Sequence, residues 1–454
     1  MRHMQKNECK TQNPGDSISL NHGMDDLYRL NKTYSCPCDE FKMYDQFMVP
    51  QKAKGMWVWG MNDPEPYMDL VMGYSSLNFG HNSKEIEKGL LEGLDSVIQI
   101  HSFHSRSQIE LAYYLSQRIS KETRFKTYFD VGGTNAVCDA IRLCRQFTGR
   151  RKIIAFDGAY HGASFSPGAI TDNNFLNQDQ YGYNPLKNDV VRIPFPNPYY
   201  GIETDYCIDK LEEALKNSDT PAGLFLEPVQ GASGFIIPDN SFIHAVRELT
   251  SKYKVVMVDD EIQMGMGRAG YLYCIQNWNV TPDIVLLSKS LAGGYYPLSA
   301  VIAKAEIFDA TLPQKSAFQG TFNNNPFGTH IALKTLQYAE KNRIFENVAA
   351  LGNSLLKKLE FVNEIPWIDN LRGMGLALAF DIVVNKTSRQ PDKILAGEFV
   401  EYAFKNHILI YPSSIKKNVV KLAPPLNITE NEVEEIASRL RNCIDSFNKR
   451  ISIT

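Results

Sequence analysis

The chain has no run of about eighteen apolar residues, the length a membrane-crossing helix needs, so no part of it reads as a transmembrane span. Its first residues, MRHMQKNECKTQNPGD, lack the apolar core of a secretory signal. Charge of one sign is missing too. The 48 Lys and Arg against 51 Asp and Glu leave a formal net charge of −3, which argues against a general nucleic-acid binder. Cysteine is sparse, eight in 454 residues. It is scattered over apolar stretches such as those around Cys138, Cys144 and Cys274, the usage of a reducing cytoplasm rather than of a disulfide scaffold. Cys36 and Cys38 form a close pair, but no second Cys/His pair stands at zinc-finger spacing, so no metal site is expected. Neither G-x-G-x-x-G nor G-x-x-x-x-G-K-[ST] follows a strand pattern, which disfavours a dehydrogenase or another nucleotide enzyme. Internal repeats and low-complexity segments are absent. What remains is an ordinary globular composition, 43% hydrophobic and 22% charged, long enough for two or three domains.

One stretch organises the rest. Val255–Val258 and Ile284–Leu287 are short apolar runs bounded by polar residues, as buried parallel strands are. The first runs into Asp259-Asp260-Glu261 and the second into Ser288-Lys289-Ser290. Ligands of open α/β sheets bind beyond the carboxyl ends of the strands, so carboxylates and a lysine arrive at one edge. Such a lysine is either an ion pair with its stem packed on the core or a Schiff-base amine. In the second case a carboxylate would keep a pyridine nitrogen protonated.

Elsewhere the pattern is more ordinary. Gly55–Leu70 reads as an aromatic hairpin around Asn62-Asp63-Pro64-Glu65-Pro66. Ser83 can cap a helix with Ile86, Leu90, Leu91 and Leu94 on one face, and Ile109–Ile119 makes a second amphipathic helix. FKTYFDVGGTNAVCDAIRLCRQF runs strand, Gly-Gly turn, helix, a shape whose free N–H groups suit a phosphate. Lys152–Phe156 and Gly223–Glu227 are further strands. Residues 171–221, rich in Asn, Pro and Tyr, read as two or three irregular segments. From about residue 330, helices at His330–Lys341, Ile344–Phe361 and Glu398–Lys405 alternate with strands at Gly375–Ile382, Ile408–Tyr411 and Val419–Leu422. A last helix starts at Thr429, with Glu432 completing a capping box. This suggests a separate α+β lobe with a small antiparallel sheet.

DDEIQMGMGRAG followed by PDIVLLSKSLAGG resembles the core signature of the class III, ω-type aminotransferases, enzymes of the ornithine, acetylornithine and 4-aminobutyrate kind. The interval from Asp260 to Lys289, 289 − 260 = 29 residues, is the one that family shows. The resemblance implies an α/β fold of pyridoxal-phosphate fold type I. A large domain with a mainly parallel seven-stranded sheet, residues 70–325, would carry the cofactor. Residues 1–69, an N-terminal arm with part of the small domain, and residues 326–454 would form the smaller α+β domain.

It also implies roles. Lys289 would carry pyridoxal 5'-phosphate as a Schiff base and Asp260 would pair with the ring nitrogen; both are the catalytic candidates. Ile262 and Tyr160, the latter in Tyr160-His161-Gly162, would cover the two ring faces, and Gln263 would meet the ring hydroxyl. Gly133 and Thr134 would hold the phosphate, with Asn135 where the family has Glu. Glu227, in Glu227-Pro228-Val229-Gln230-Gly231, would support the site. His161 reads either as a further member of the site or as a satisfied loop histidine. Thr321, in Gln319-Gly320-Thr321-Phe322, would reach the phosphate of a neighbouring subunit, implying a homodimer with sites at its interface. Tyr44 and Tyr74 would line the substrate pocket.

The implied activity is ping-pong transfer of an amino group between a small-molecule primary amine or ω-amino donor and a keto-acid acceptor. Neither nucleic acid nor membrane is a partner. Other chemistry on the same scaffold (aminomutase, decarboxylase or racemase) and a non-catalytic binding protein stay as alternatives. At the substrate end the chain departs from the resemblance. Ala163 and Ala232 stand where relatives carry an arginine and a glutamate, and Lys421 stands where they carry a second arginine. Lys421 is therefore either a carboxylate ligand or a solvated strand residue. Lysine is a point charge and cannot reproduce the bidentate fork of arginine.

Overall fold

The computed structural model describes residues 23–35, 48–100, 103–172, 187–216, 219–311, 320–413 and 415–452. Tyr44, Cys36 and Cys38 lie outside them. Near the N-terminus β1 (Pro50–Lys54), β2 (Trp57–Gly60) and β3 (Tyr67–Asp69) form an antiparallel ladder. The expected hairpin is its β2–β3 part.

Seven strands make the large sheet: β4 (Phe125–Val131), β5 (Ile153–Phe156), β6 (Val190–Ile193), β7 (Gly223–Leu226), β8 (Val256–Asp260), β9 (Ile284–Leu287) and β10 (Leu298–Lys304). Their order is β4-β10-β9-β8-β7-β5-β6. Pairing is parallel from β9 through β8, β7 and β5 to β6, while β10 runs antiparallel to both β9 and β4. The strands read as continuous apolar runs because both faces of the sheet are covered. Alternate residues divide between two cores. Val256, Val258, Ile284, Leu286 and Phe225 pack with Ala136, Val137 and Ala140 of the helix Gly133–Thr148. Met257, Val285, Leu287 and Leu224 join a second core, with Leu111, Leu115, Phe242 and Ile243.

Residues 171–221 hold more structure than their composition announces. They contain edge strand β6 and the helix Thr204–Lys216, which buries Cys207, Leu211 and Leu215. Among the described residues β6 has one partner, so its outer residues stay half-buried and its pattern is mixed. The helix Lys84–Leu94 forms where expected, but Leu91 and Leu94 are exposed while Ile86, Gly89 and Gly93 are buried. Its glycines lie against Lys334, Phe327 and His330 of the helix Pro326–Lys341, so small size rather than hydrophobicity chooses the inner face. Ser83 precedes this helix without a side-chain cap bond.

The C-terminal strands are β11 (Ile368–Met374), β12 (Ala377–Ile382), β13 (Ile408–Leu409), β14 (Pro412–Ser413) and β15 (Val419–Leu422). Four of them form an antiparallel sheet, β11-β12-β15-β14, as the pattern suggests. β13 instead pairs parallel with β3, closing the N-terminal ladder. The final helix, Glu430–Ile451, carries the capping box read from Thr429 and Glu432. Buried Arg268 donates to Leu376 O, Pro424 O and Asn78 Oδ1, tying three distant segments together.

Helix Ile344–Lys358 crosses the β11–β12 turn glycine against glycine. A Cβ on Gly352 would lie 2.0 Å from Gly375 O. That atom is backbone and cannot swing away, so Gly352→Ala should destabilise the fold by about 1–3 kcal/mol or more. Urea unfolding measures it; an unchanged midpoint would contradict this packing.

Candidate functional site

The site gathers at the carboxyl ends of β7, β8 and β9. β8 ends in Asp260, which continues the Val256–Val258 face and so points to the side of the helix Gly133–Thr148. Asp260 is 4% exposed. Its Oδ2 lies 2.7 Å from His161 Nδ1, and its Oδ1 accepts from Ile262 N at 3.1 Å. His161 is buried, its backbone N–H donates to Thr171 Oγ1, and its Nε2 has no hydrogen-bond partner among the described residues. His161 therefore belongs to the site, a place that the sequence left open. The signal available was its position immediately before Gly162, a glycine that takes a left-handed-region turn, φ +116.

Asp259 and Glu261 alternate to the opposite side and are buried there. Burial pushes both carboxyls up, Glu261 to about 7. They do not join the lysine.

Lys289 follows β9 in the left-handed region, φ 43, a conformation that L side chains adopt at a cost. Its side chain is half-buried and faces Glu227 and Asp260; burial pulls the amine down to about 8 against their pull upward. Glu227, at the end of β7, is buried and accepts from Tyr160 N at 2.8 Å and Gly231 N at 2.9 Å. Its carboxyl is raised, chiefly by burial. One acid thus shapes the two loops that carry Tyr160 and Gly231.

The remaining candidates surround this centre. Gly133 is glycine for close approach: a Cβ there would lie 3.0 Å from Ile262 Cδ1. Its helix has no side-chain cap, so the first N–H groups, with Thr134 beside Gly162, are open donors. Gln263 Oε1 occupies the space a Cβ on Gly231 would take, and Gln263 Nε2 donates to Tyr74 O at 3.4 Å. Tyr74 sits in a left-handed turn, Met72 to Ser75, held at its start by two bonds to Asp69 Oδ1. Its ring meets Tyr411 edge-on at 4.8 Å, and Tyr160, 44% exposed, lies near it.

Lys421 lies in the centre of β15 and is 3% exposed, which rules out the solvated strand residue. Its Nζ donates to Gly231 O at 3.0 Å. Phe235 and Tyr411 present ring faces to it. Thr321 stands apart from this cluster, exposed, its carbonyl accepting from Gln99 Nε2. Tyr411 and Phe235 are site residues that the sequence did not mark. No group of acids, histidines and cysteines suited to a metal occurs among the described residues.

A family model described as aminotransferase class-III matches residues 41–444. The chain is 29% identical over 402 residues to a 4-aminobutyrate aminotransferase of Escherichia coli, covering 87% of this chain and 92% of the relative. It is also 29% identical over 411 residues to a leucine/methionine racemase of Thermococcus litoralis, covering 87% and 90%. Among solved structures, a transaminase from the marine bacterium Virgibacillus superposes with a TM-score of 0.85 at 24% identity. That match covers 94% of this chain and all of the other.

Proposed function

Since this chain belongs to the class-III aminotransferases, which use pyridoxal 5'-phosphate, we propose that Lys289 and Asp260 are the catalytic pair of a transaminase. The carrying observation is a half-buried amine that faces a buried carboxylate across the ends of adjacent parallel strands.

The residues present fit the cofactor. An uncapped helix start suits the phosphate, through the backbone of Gly133 and Thr134 and the Thr134 hydroxyl. Ile262 and Tyr160 suit the two faces of a flat ring, and Gln263 suits its hydroxyl. Bound there, pyridoxal phosphate supplies an aldehyde for amines and a ring that withdraws electrons from the neighbouring carbon.

The chain's own residues do the rest. Asp260 holds the proton of the ring nitrogen, and His161 fixes the carboxylate that does so. Lys289 would hold the cofactor through its Nζ, and the same amine is placed to move a proton at the reacting carbon. Glu227 holds the Tyr160 and Gly231 loops in place. Tyr74 and Lys421 bound the substrate, Lys421 taking the keto-acid carboxylate; Tyr44, outside the described residues, is assigned to the same wall.

The reading extends to organisation. Residues 70–325 form the cofactor-binding domain, with 1–69 and 326–454 in the smaller one; the β13–β3 pairing supports that division. The enzyme works as a homodimer in which Thr321 reaches the partner's phosphate. Support comes from exposed Leu94, Val97, Ile98 and Phe103, joined to the Thr321 loop by bonds from Asn325 to Ile98 O and Gln99. Exposed apolar side chains close in sequence are what an association site would present. Light scattering should give twice the chain mass; a fully active monomer would rule the dimer out. A cytoplasmic location is supported by the free thiols of Cys138, Cys144, Cys207, Cys274 and Cys443. No helix among the described residues is long and apolar enough to cross a membrane.

The deciding experiment supplies amines with and without a keto acid. Turnover should stop after one equivalent when the keto acid is withheld. Sustained turnover without it would sink the transaminase assignment in favour of racemisation or decarboxylation.

A further inference from the structure

Two segments far apart in the chain end side by side at the site. β3 and β13 pair in parallel, Met68 beside Ile408 and Asp69 beside Leu409. Beyond the end of β13 comes Tyr411, and beyond the end of β3 comes Tyr74. Their rings meet edge-on at 4.8 Å. The two routes are not equivalent. Tyr411 follows its strand by two positions. Tyr74 is reached through Met72, Gly73, Tyr74 and Ser75, four consecutive residues in the left-handed region, with φ of 48, 56, 56 and 66. Only the glycine takes that conformation without a steric cost. Ser75 adds a second cost: it is fully buried, and its hydroxyl has no hydrogen-bond partner among the described residues. A stretch this unfavourable persists only where its surroundings over-determine it, and such stretches gather at functional sites.

The over-determining group is Asp69, the last residue of β3, 7% exposed. Its base is fixed on both sides. The Asp69 N–H donates to Met56 O at 2.7 Å, the Leu70 N–H donates to Leu409 O at 3.0 Å, and Leu70 O accepts from Ala423 N at 2.9 Å. From this base Asp69 Oδ1 accepts from Val71 N at 2.8 Å and from Met72 N at 2.9 Å, the entry to the turn. Oδ2 meets His81 Nε2 at 3.0 Å; a carboxylate only accepts, so the imidazole donates and orients the acid. His81 is in turn bridged to Gly55 through both of its backbone groups. At the far end the turn has a weaker hold, the 3.4 Å bond from Gln263 Nε2 to Tyr74 O.

Resting on the assignment of Tyr74 to the substrate wall, we infer that Asp69, seated by His81, is the positioning residue of that wall. It holds the left-handed turn that sets Tyr74 against Tyr411, and through Tyr74 it sets how tightly the donor amine binds. Without its two bonds the turn relaxes toward the right-handed or extended backbone that Met72, Tyr74 and Ser75 prefer, and the ring leaves Tyr411. A carboxylate that merely capped a strand end would, on removal, lower stability and leave recognition alone.

The test uses the cofactor-loaded enzyme with 4-aminobutyrate, ornithine and benzylamine as donors. Hydrogen exchange reads the clamp directly. In Asp69→Ala the amides of Val71 and Met72 should exchange about tenfold faster, while β8 and β9 keep their protection. The donor half-reaction, followed without acceptor by bleaching of the visible band, reads recognition. Asp69→Ala should raise the half-saturating amine concentration about tenfold and leave the limiting rate nearly unchanged. Tyr74→Ala should do likewise, and the double variant should be no worse than Tyr74→Ala alone, because Asp69 acts only through Tyr74. Asp69→Asn, which still offers Oδ1 to both amides, should recover most of the loss. If Asp69→Ala fails to fold, His81→Leu, which unseats the carboxylate but leaves it in place, should show the same pattern more weakly. Unchanged exchange at Val71 and Met72 overturns the inference. So do losses that multiply in the double variant, or a half-saturation that neither single variant moves. All three leave the transaminase reading standing. A wild-type enzyme whose band none of the three amines bleaches overturns that reading, and this inference with it.

Discussion

Lys289→Ala should yield a folded protein that binds cofactor without the visible band of the lysine-bound form and loses about 10⁴-fold in turnover. The loss combines two functions. On the proposed assignment Nζ would be the covalent anchor for the cofactor and also the group that carries the proton during transfer; a positioned acid–base group alone contributes roughly 10²–10⁴-fold. Among the described residues no other amine is free to replace it at that spot. Lys421 approaches the same centre, but its amine is committed to Gly231 O. Folding should survive, because Lys289 makes no ion pair with a described residue and removing it relieves the burial that pulls its amine down to about 8. Absorbance spectra and single-turnover kinetics decide the matter. A variant with wild-type turnover would remove the assignment of the whole site.

The second large effect is expected at Asp260. Asp260→Asn keeps the shape and can still accept from His161, yet it carries no negative charge to hold a proton on the ring nitrogen. Preorganised electrostatic stabilisation of this kind is worth about 10²–10³-fold in rate. The cost should fall on kcat and leave cofactor affinity nearly unchanged, because the proposed phosphate contacts, Gly133 and Thr134, are untouched. The geometry argues for a firmly held carboxylate: Oδ2 meets His161 Nδ1 at 2.7 Å and Oδ1 takes the Ile262 N–H. Full activity in Asp260→Asn would mean that the ring needs no anionic partner here.

Both predictions concern residues that were legible before any coordinates. The apolar runs of β8 and β9 announced buried parallel strands, and their polar ends announced where the chemistry would sit. This worked because a parallel strand covered on both faces must be apolar until it leaves the sheet, so the first acid or amine marks the strand end. The helix after Gly133 and the capping box at Thr429 were readable for a similar reason: local backbone donors impose local residue choices. Leu91 and Leu94 show the limit. Their helical spacing is right, but the inner face is filled by Gly89 and Gly93, because the helix Pro326–Lys341 comes too close for side chains. Closeness between distant segments leaves no periodic trace.

By itself, then, the sequence determined the sheet strands that carry the site, the Asp260–Lys289 pair and the family to which they belong. Each depends on residues near in sequence or on a fixed interval. Only the tertiary structure decided what surrounds the pair. His161 becomes a partner of Asp260 because a loop folds back across 99 positions. Glu227 bridges two loops rather than capping its own strand. Lys421, which could equally have faced solvent, ends inside, bonded to a carbonyl 190 residues away and enclosed by Phe235 and Tyr411. Burial and electrostatic neighbours are sums over the folded chain. The proton affinity of a buried amine is set by those sums rather than by the residues beside it in the sequence.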